Sequence, residues 1–589
     1  MENIQETLEK KGVSDKILDN KIQIILILFF PIILFFIKND WIFDNPYSSW
    51  IDAWVYQGYF LNFQQYLTLF GSTYYGERIS WILIGYFFNL IFPPLIAQYC
   101  LHLLFFILAL FSFYVILLLN FNSRIAFFSS ILMGTYTLFL QEIGSNYVTG
   151  PAITFFLLSF LMMTISGKSN YWKVSLLLSG IFFALMSFAA VYAFLFLPTL
   201  ILYFILIHTQ NYERSIFKSI LSFIAGYIGI TIILCIINYI LIGKFVFFDT
   251  TIKISQYYST INNPWFQPIQ TWIFSAYWLY LPVLILISCG LFLFFTKNKE
   301  NNNYFHIKTF FPLNYIMVFG IFIILSIKEY PFLQFTYFAD YLIPFMFLAF
   351  AAQLSDYFSN ITENQYLVFS ISGFCILLSP LLINRISQFA SSIIFSYSLQ
   401  IWFALIFFWM LFFIVFCLFI KQKINSSVVL TSLIILLVSI ALFNSFVFTK
   451  NFGWGFDTKD NGYLAVIDST KIIKEHVPDQ KVKFWYNFSE NYGSDYYGGL
   501  FNSVNAIYLW GYTYISRDYP HIEQKNLDDF FSNGANHQKI VIMSTQENLF
   551  ENTNQSLNTH GYCAVLLSQD RIQRGKINFN LLIIQLEKI

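Results

Sequence analysis

The 589-residue chain is 57% hydrophobic, 21% aromatic and only 11% charged, with a net charge of +1. A soluble domain of ordinary composition carries about 25% charged residues, so this chain lacks the polar groups to cover a globular surface and reads as a polytopic α-helical membrane protein. Its near-neutral balance excludes nucleic-acid binding driven by bulk charge.

The first segment, 1–21, is polar and basic, with Lys10, Lys11, Lys16 and Lys21. The apolar run 22–37 that follows lacks a small-residue cleavage site and reads as an uncleaved signal anchor. A long aromatic loop comes next, 38–97, ending in an apolar stretch, 79–96, that contains Pro93 and Pro94. That stretch is predicted to lie in the interface rather than to span. Taking about 20 apolar residues per crossing, further spans fall at 98–119, 124–141, 147–166, 174–189, 191–208, 217–242, 271–296, 309–327, 332–354, 366–384, 398–420 and 428–449, which with 22–37 makes thirteen. The membrane domain is therefore 22–449.

The tail, 450–589, is polar and mixed in charge. A helical pattern at 462–476 is followed by strand-like runs at 481–488, 506–515, 539–544, 562–568 and 579–587, the pattern of a small α/β domain. Fourteen Lys and Arg fall in the segments that lie inside if the N-terminus is cytoplasmic, against six in the outer ones. This bias places the N-terminus in the cytoplasm and the tail outside. Six cysteines are scattered, with neither metal-ligand spacing nor an evident disulfide pair.

The candidate site residues cluster in the predicted outer segments. Asp52 lies in SSWIDAWVYQGYFLNF (48–63). Asn45-Pro46 signals a turn, Ser48 or Ser49 suits a helix cap, and a helix beginning near Trp50 places Asp52, Tyr56 and Tyr59 on one face. A carboxylate, hydroxyls and ring faces together make a sugar-binding surface; the plainer reading is a loop helix packed on the bundle. Glu77 and Arg78 follow in FGSTYYGERISW (70–81). The Arg78 guanidinium suits a lipid phosphate, because its fork matches phosphate oxygens in bidentate fashion; alternatively it snorkels or pairs with Glu77. Glu142 is the only acid of the short outer loop 141–151 and is placed to face the first loop or to cap its helix. Lys328 lies outside, and Asp340 falls about eight residues inside the predicted span 332–354, roughly 12 Å at ~1.5 Å per residue. An unpaired acid at that depth costs several kcal/mol and is a functional candidate, with Lys328, Arg78, a Tyr or a water-filled cavity as partners.

The long outer loop with an early acid in IDAWVYQGYF (51–60), YYGERISWILIG (74–85), YLIP (341–344), many spans and an outer C-terminal domain together resemble the GT-C class of membrane glycosyltransferases. Within it, the resemblance is to bacterial relatives of the dolichyl-phosphate-mannose protein mannosyltransferases and of the aminoarabinose transferases of lipid A. It covers about residues 1–350 as an architecture. It implies that Asp52 is the general base, deprotonating an acceptor hydroxyl that displaces a polyprenyl phosphate with inversion. The partners it implies are a polyprenyl-phosphate-linked sugar and a lipid, glycan or protein acceptor in the cell envelope. Two features depart from the class. Asp340 stands where relatives often carry Arg, leaving the phosphate to Arg78 or Lys328. Relatives also often carry a second Asp near the start of the fourth helix, where YVTGP (147–151) has none and Glu142 is the nearby substitute.

The expected function is thus a polyprenyl-phosphate-dependent glycosyltransferase, with Asp52 and Glu142 catalytic and Tyr56, Tyr59, Arg78, Lys328 and Asp340 binding substrate. No metal ligand or cofactor is assigned; some members of the class use a divalent cation, and the acids here form no clear ligand set. A secondary transporter coupled through Asp340, and a non-catalytic envelope protein with the tail as a binding module, are the alternatives.

Overall fold

The computed structural model describes residues 13–37, 42, 50–61, 63–209 apart from 72, 214–296 apart from 246–247, 254–266 and 274–275, and 307–359. In the tail it describes 468–477 apart from 470 and 474, then 482–485, 521–522, 538–574 apart from 545–546, and 577–589. The predicted spans 366–384, 398–420 and 428–449, the Ser48/Ser49 cap and the predicted strand 506–515 lie outside the described residues.

Among the described residues the α-helices of eight or more residues in the membrane part are, in chain order, α1 (Lys21–Ile37), α2 (Trp50–Leu61), α3 (Phe63–Phe70), α4 (Ile79–Ile91), α5 (Pro94–Asn120), α6 (Ser123–Thr135), α7 (Thr137–Gly144), α8 (Thr149–Lys168), α9 (Trp172–Ala189), α10 (Leu197–Thr209), α11 (Ile216–Ile242), α12 (Tyr280–Thr296), α13 (Ile307–Ile327) and α14 (Ile343–Ser359). Among the described residues six stretches are long and apolar enough to cross a membrane: α5, α8, α9, α11, α13 and Thr336–Ser355, which includes most of α14. The bent pair α6–α7 makes a seventh if it is one span.

Prolines and one extended residue explain where the helices depart from the predicted runs. The run 79–96 is two elements: α4 stops at Ile91, and Pro94 opens α5. Proline is at home in a first helical turn, where its missing N–H costs nothing. The predicted span 124–141 breaks at Tyr136, whose backbone is extended, and α6 and α7 meet at 69°. The predicted span 191–208 opens as a 3-10 turn, Val191–Phe196, before α10. The span predicted at 332–354 instead starts at Thr336 and passes through a 3-10 turn, Asp340–Leu342. Pro344 has no N–H to give the Asp340 carbonyl, and the N–H of Ile343 bonds it instead, tightening the turn.

Burial sorts the helices. α8 sits in the middle of the bundle, walled by α5 and α9, and its residues are buried on all sides. α11 turns most of its surface outward, with Ile220, Leu221, Ile228 and Ile232 exposed, as suits a lipid-facing helix. It docks on α9 where Gly180 and Gly226 bring the two backbones together.

In the tail, five strands form one sheet in the order β2-β1-β3-β5-β4, with β1 Val482–Trp485, β2 His521–Ile522, β3 Lys539–Ser544, β4 Tyr562–Arg574 and β5 Ile577–Lys588. β1 pairs in parallel with β2 and β3, and β5 pairs antiparallel with β3 and β4. Helix α15 (Leu549–Asn558) joins β3 to β4 and lays Leu549 and Leu557 on the sheet core. The predicted strand at 562–568 runs on to Arg574, past an irregularity between Leu566 and Ser568.

Candidate functional site

Three long-range contacts gather the helix ends that carry the candidate residues. Arg78, which precedes α4, donates from Nη1 to the carbonyl of Ala189 at the end of α9 (2.8 Å). Thr149, which opens α8, donates to the carbonyl of Tyr337 (3.0 Å). Glu142, near the end of α7, hydrogen-bonds Asp340 ahead of α14. Helices that alternate in direction thus bring the ends of α7 and α9 and the starts of α4, α8 and α14 to one end of the bundle.

Asp52 sits in the first turn of α2, where the helix dipole favours a negative side chain. Its Oδ1 accepts hydrogen bonds from the Tyr75 hydroxyl (2.7 Å) and from the Tyr74 hydroxyl (3.5 Å). The two tyrosine rings lie 4.0 Å apart. Burial pushes the Asp52 carboxyl above the usual carboxylate range; the Tyr75 bond, the positive Arg78 and the Tyr74 bond pull the other way without cancelling it. An aromatic wall continues from there. The Tyr56 ring stands edge-on to Tyr75 (5.9 Å) and 6.4 Å from Tyr147, which is itself edge-on to Tyr337 (5.3 Å). The Tyr56 hydroxyl is buried and has no hydrogen-bond partner among the described residues.

Arg78 is 8% exposed, and its guanidinium carbon lies 6.0 Å from the centre of the Tyr74 ring. Its bond to Ala189 closes one of the open carbonyls of the last turn of α9, where the dipole favours a cation. That bond uses one of five N–H donors. Tyr56, Tyr147, Tyr192 and Tyr341 lie within electrostatic reach of the guanidinium. The same charge acts on Asp52, so the carboxylate and the guanidinium lie within electrostatic reach of each other.

Glu142 and Asp340 are both buried, and the partner that the structure gives Asp340 is this second acid, rather than Lys328, Arg78 or a Tyr. A hydrogen bond between two carboxyl groups requires one proton between them. Tyr341, beside Asp340 in sequence, lies within electrostatic reach of both Glu142 and Arg78. Close approach of α8 holds Glu142 there: a Cβ on Gly150 would lie 2.3 Å from the Glu142 carbonyl oxygen.

The remaining predicted residues lie apart. Tyr59 is buried against Tyr66 (5.3 Å), and its hydroxyl makes no hydrogen bond. Lys328 is exposed past the end of α13, and it has no side-chain partner among the described residues. Glu77 points away from Arg78 and caps the segment Asp249–Lys253, accepting from the Thr250 N–H (2.8 Å), the Thr251 N–H (3.2 Å) and the Thr251 hydroxyl. Among the described residues no three His, Cys, Asp or Glu side chains converge as a metal-ligand set.

Tyr74 and Tyr75 stand at Asp52, and Tyr147 and Tyr341 within reach of Arg78, but residue types and spacing did not single them out. Tyr74 and Tyr75 come 22 and 23 residues after Asp52, at no helical period, in a chain that holds 39 tyrosines.

No family model matches the chain, and no curated protein matches it. Among solved structures, ArnT from Cupriavidus metallidurans bound to undecaprenyl phosphate aligns with a TM-score of 0.46 and 11% identity over 95% of this chain and 97% of that one. The apo state of the same protein aligns with a TM-score of 0.39 and 12% identity over 90% and 93%.

Proposed function

We propose that the chain is a membrane glycosyltransferase that moves a sugar from a polyprenyl-phosphate donor to an acceptor hydroxyl at the extracytoplasmic face, with inversion. One observation carries this reading: a half-buried carboxylate held by two tyrosine hydroxyls lies within electrostatic reach of a buried guanidinium, beside a row of aromatic rings at one end of a bundle of apolar helices. The ring faces suit a sugar. The apolar helices suit a lipid tail beside them. The excess of Lys and Arg in the alternate segments supports the outer placement.

Asp52 takes the proton of the acceptor hydroxyl. The freed oxygen attacks the anomeric carbon from the face opposite the phosphate. The bond from that carbon to the phosphate oxygen breaks, and its electron pair leaves with the phosphate. Arg78 faces the charge that develops there, in surroundings where a fixed cation acts more strongly than in water. The raised position of the Asp52 carboxyl makes it a stronger base than an ordinary aspartate once deprotonated, and a general base of this kind contributes about 10²–10⁴-fold.

The test is transfer in membranes from a labelled mixture of polyprenyl-phosphate sugars, comparing the wild type with Asp52→Asn at equal protein level. A fall of about a hundredfold or more is expected for loss of a base. Equal transfer by the two would remove Asp52 from the mechanism, and activity of neither would shift weight to a transporter working through the Glu142–Asp340 pair.

A further inference from the structure

We infer that His102 is a positioning residue of this site: it clamps the turn between α7 and α8, fixing Glu142 against Asp340 and joining that turn to the helix that carries Asp52. The inference rests on the transferase reading for its kinetic consequence, but its geometry stands alone. His102 lies on α5, fully within the bundle and 1% exposed. Its Nδ1 is 2.7 Å from the carbonyl of Ile143, the residue after Glu142. Its Nε2 is 3.1 Å from Oδ1 of Asn146, the residue before Tyr147. One imidazole therefore grips both ends of a four-residue turn whose neighbours on either side, Glu142 and Tyr147, meet Asp340 and Tyr56.

The clamp continues in two directions. Asn146 Nδ2 donates to Oε1 of Gln57 (2.8 Å), which stands on α2 next to Tyr56 and five residues after Asp52. Trp81 of α4, three residues after Arg78, donates from Nε1 to the Asn146 carbonyl (2.8 Å). All of His102, Asn146, Gln57 and Trp81 are buried. The turn is thus tied to α5 by His102, to α2 by Gln57 and to α4 by Trp81. These are the elements that carry or adjoin Asp52 and Arg78.

The chemistry of the chain of bonds closes. A carbonyl only accepts, so Nδ1 carries a hydrogen. Nε2 donates to Asn146 Oδ1 when the ring is an imidazolium. When the ring is neutral, Asn146 turns its carboxamide to donate to Nε2, and Gln57 turns in the same sense to donate to the Asn146 oxygen. Each arrangement sets a donor against an acceptor at every one of these three contacts, as a buried polar network requires. No apolar residue can do this, and the two carboxamide analogues of histidine each keep one end: Asn reaches where Nδ1 does, and Gln where Nε2 does.

The test uses His102→Leu, His102→Asn and His102→Gln in the full-length protein in lipid nanodiscs, each read in two ways. The first readout is hydrogen exchange of the backbone amides over 142–149. His102→Leu should exchange at least about tenfold faster there with the centre of α8 unchanged, and the Asn and Gln variants should fall between it and the wild type. The second is transfer from the labelled polyprenyl-phosphate sugar mixture. His102→Leu should lower kcat per folded molecule by about 10–100-fold, the scale of a misplaced catalytic geometry, with KM for the lipid donor unchanged. Adding Asn146→Ala to His102→Leu should cost more, since it also severs the tie to Gln57, but less than the sum of the two single changes, since the two residues share one contact. Unchanged exchange over 142–149 in His102→Leu would overturn the clamp, whether or not any sugar is transferred. Faster exchange with kcat unchanged would leave His102 a packing residue and overturn its positioning role. Absence of transfer in the wild type, with the exchange result intact, would count against the transferase reading and leave the clamp standing.

Discussion

Tyr75 donates its phenolic hydrogen to Asp52 at 2.7 Å across 23 residues of sequence, and this bond sets how readily the carboxyl gives up its proton. Burial raises the Asp52 carboxyl, and the Tyr75 bond opposes the rise by favouring the charged form. Asp52 must be deprotonated to act as a base, so transfer should fall as pH drops through its raised pKa, with an acid limb above the ordinary aspartate range. Tyr75→Phe removes an opposing influence and should move that limb to still higher pH. A pH–rate profile of kcat in the two proteins decides it, and a limb that stays put or moves down in Tyr75→Phe would mean that another group titrates.

Arg78 and Lys328 compete in the sequence as the phosphate contact, and the structure separates them. Arg78 is buried beside Asp52, whereas Lys328 is exposed past α13. Arg78→Met should therefore lower kcat/KM for the lipid donor by about 10²–10³-fold, the range seen when one preorganised donor to a developing anion is lost. Arg78→Lys keeps the charge and loses the fork, and should fall between. Lys328→Met should stay within about twofold of the wild type. Reversed sensitivities would assign the phosphate to Lys328.

Much of this site was legible in the sequence, and what was missed has physical causes. The helix beginning near Trp50 with Asp52 in its first turn could be read from a cap, a turn signal and helical spacing, all local. Arg78 stood out as a lone cation beside an apolar run. By contrast, the pairing of Asp340 with Glu142 joins residues 198 apart in the chain, and one buried acid says nothing of another. Tyr74 and Tyr75 were hidden by abundance, because one aromatic pair among so many carries no signal. Nothing in the sequence marks His102, which falls within the predicted span 98–119, because its partners are a backbone carbonyl and an asparagine rather than acids or ligands. Helix ends erred where prolines and one extended residue, Tyr136, interrupted apolar runs that hydropathy reads as continuous.

The Glu142–Asp340 hydrogen bond makes a stability prediction that separates shape from loss of contact. Asp340→Asn retains an N–H donor for the Glu142 carboxyl and should leave thermal unfolding within about 1 kcal/mol of the wild type. Asp340→Ala removes this partner from a buried carboxyl and should cost about 1–3 kcal/mol. The comparison is made by thermal unfolding in a single detergent at a single pH. Equal melting of the two variants would show that the bond contributes nothing to the fold.

The docking of α11 gives the sharpest packing test, because one helix carries both the variant and its control. A Cβ on Gly226 would lie 2.0 Å from the backbone oxygen of Leu177, and one on Gly180 would lie 2.0 Å from that of Phe223. Backbone cannot swing aside as a side chain can, so α9 and α11 must part. α11 turns most of its remaining surface outward, and α9 is its principal neighbour. Gly226→Ala should accordingly cost about 1–3 kcal/mol, the usual price of overpacking. Gly229, less than one turn further along α11, has nothing within 4 Å of its Cβ position. Gly229→Ala should be neutral or stabilising by up to about 1 kcal/mol, since alanine is the better helix former. The expected result is a lower melting temperature for Gly226→Ala than for Gly229→Ala in the same detergent. Identical melting would mean that the two helices do not approach at these glycines.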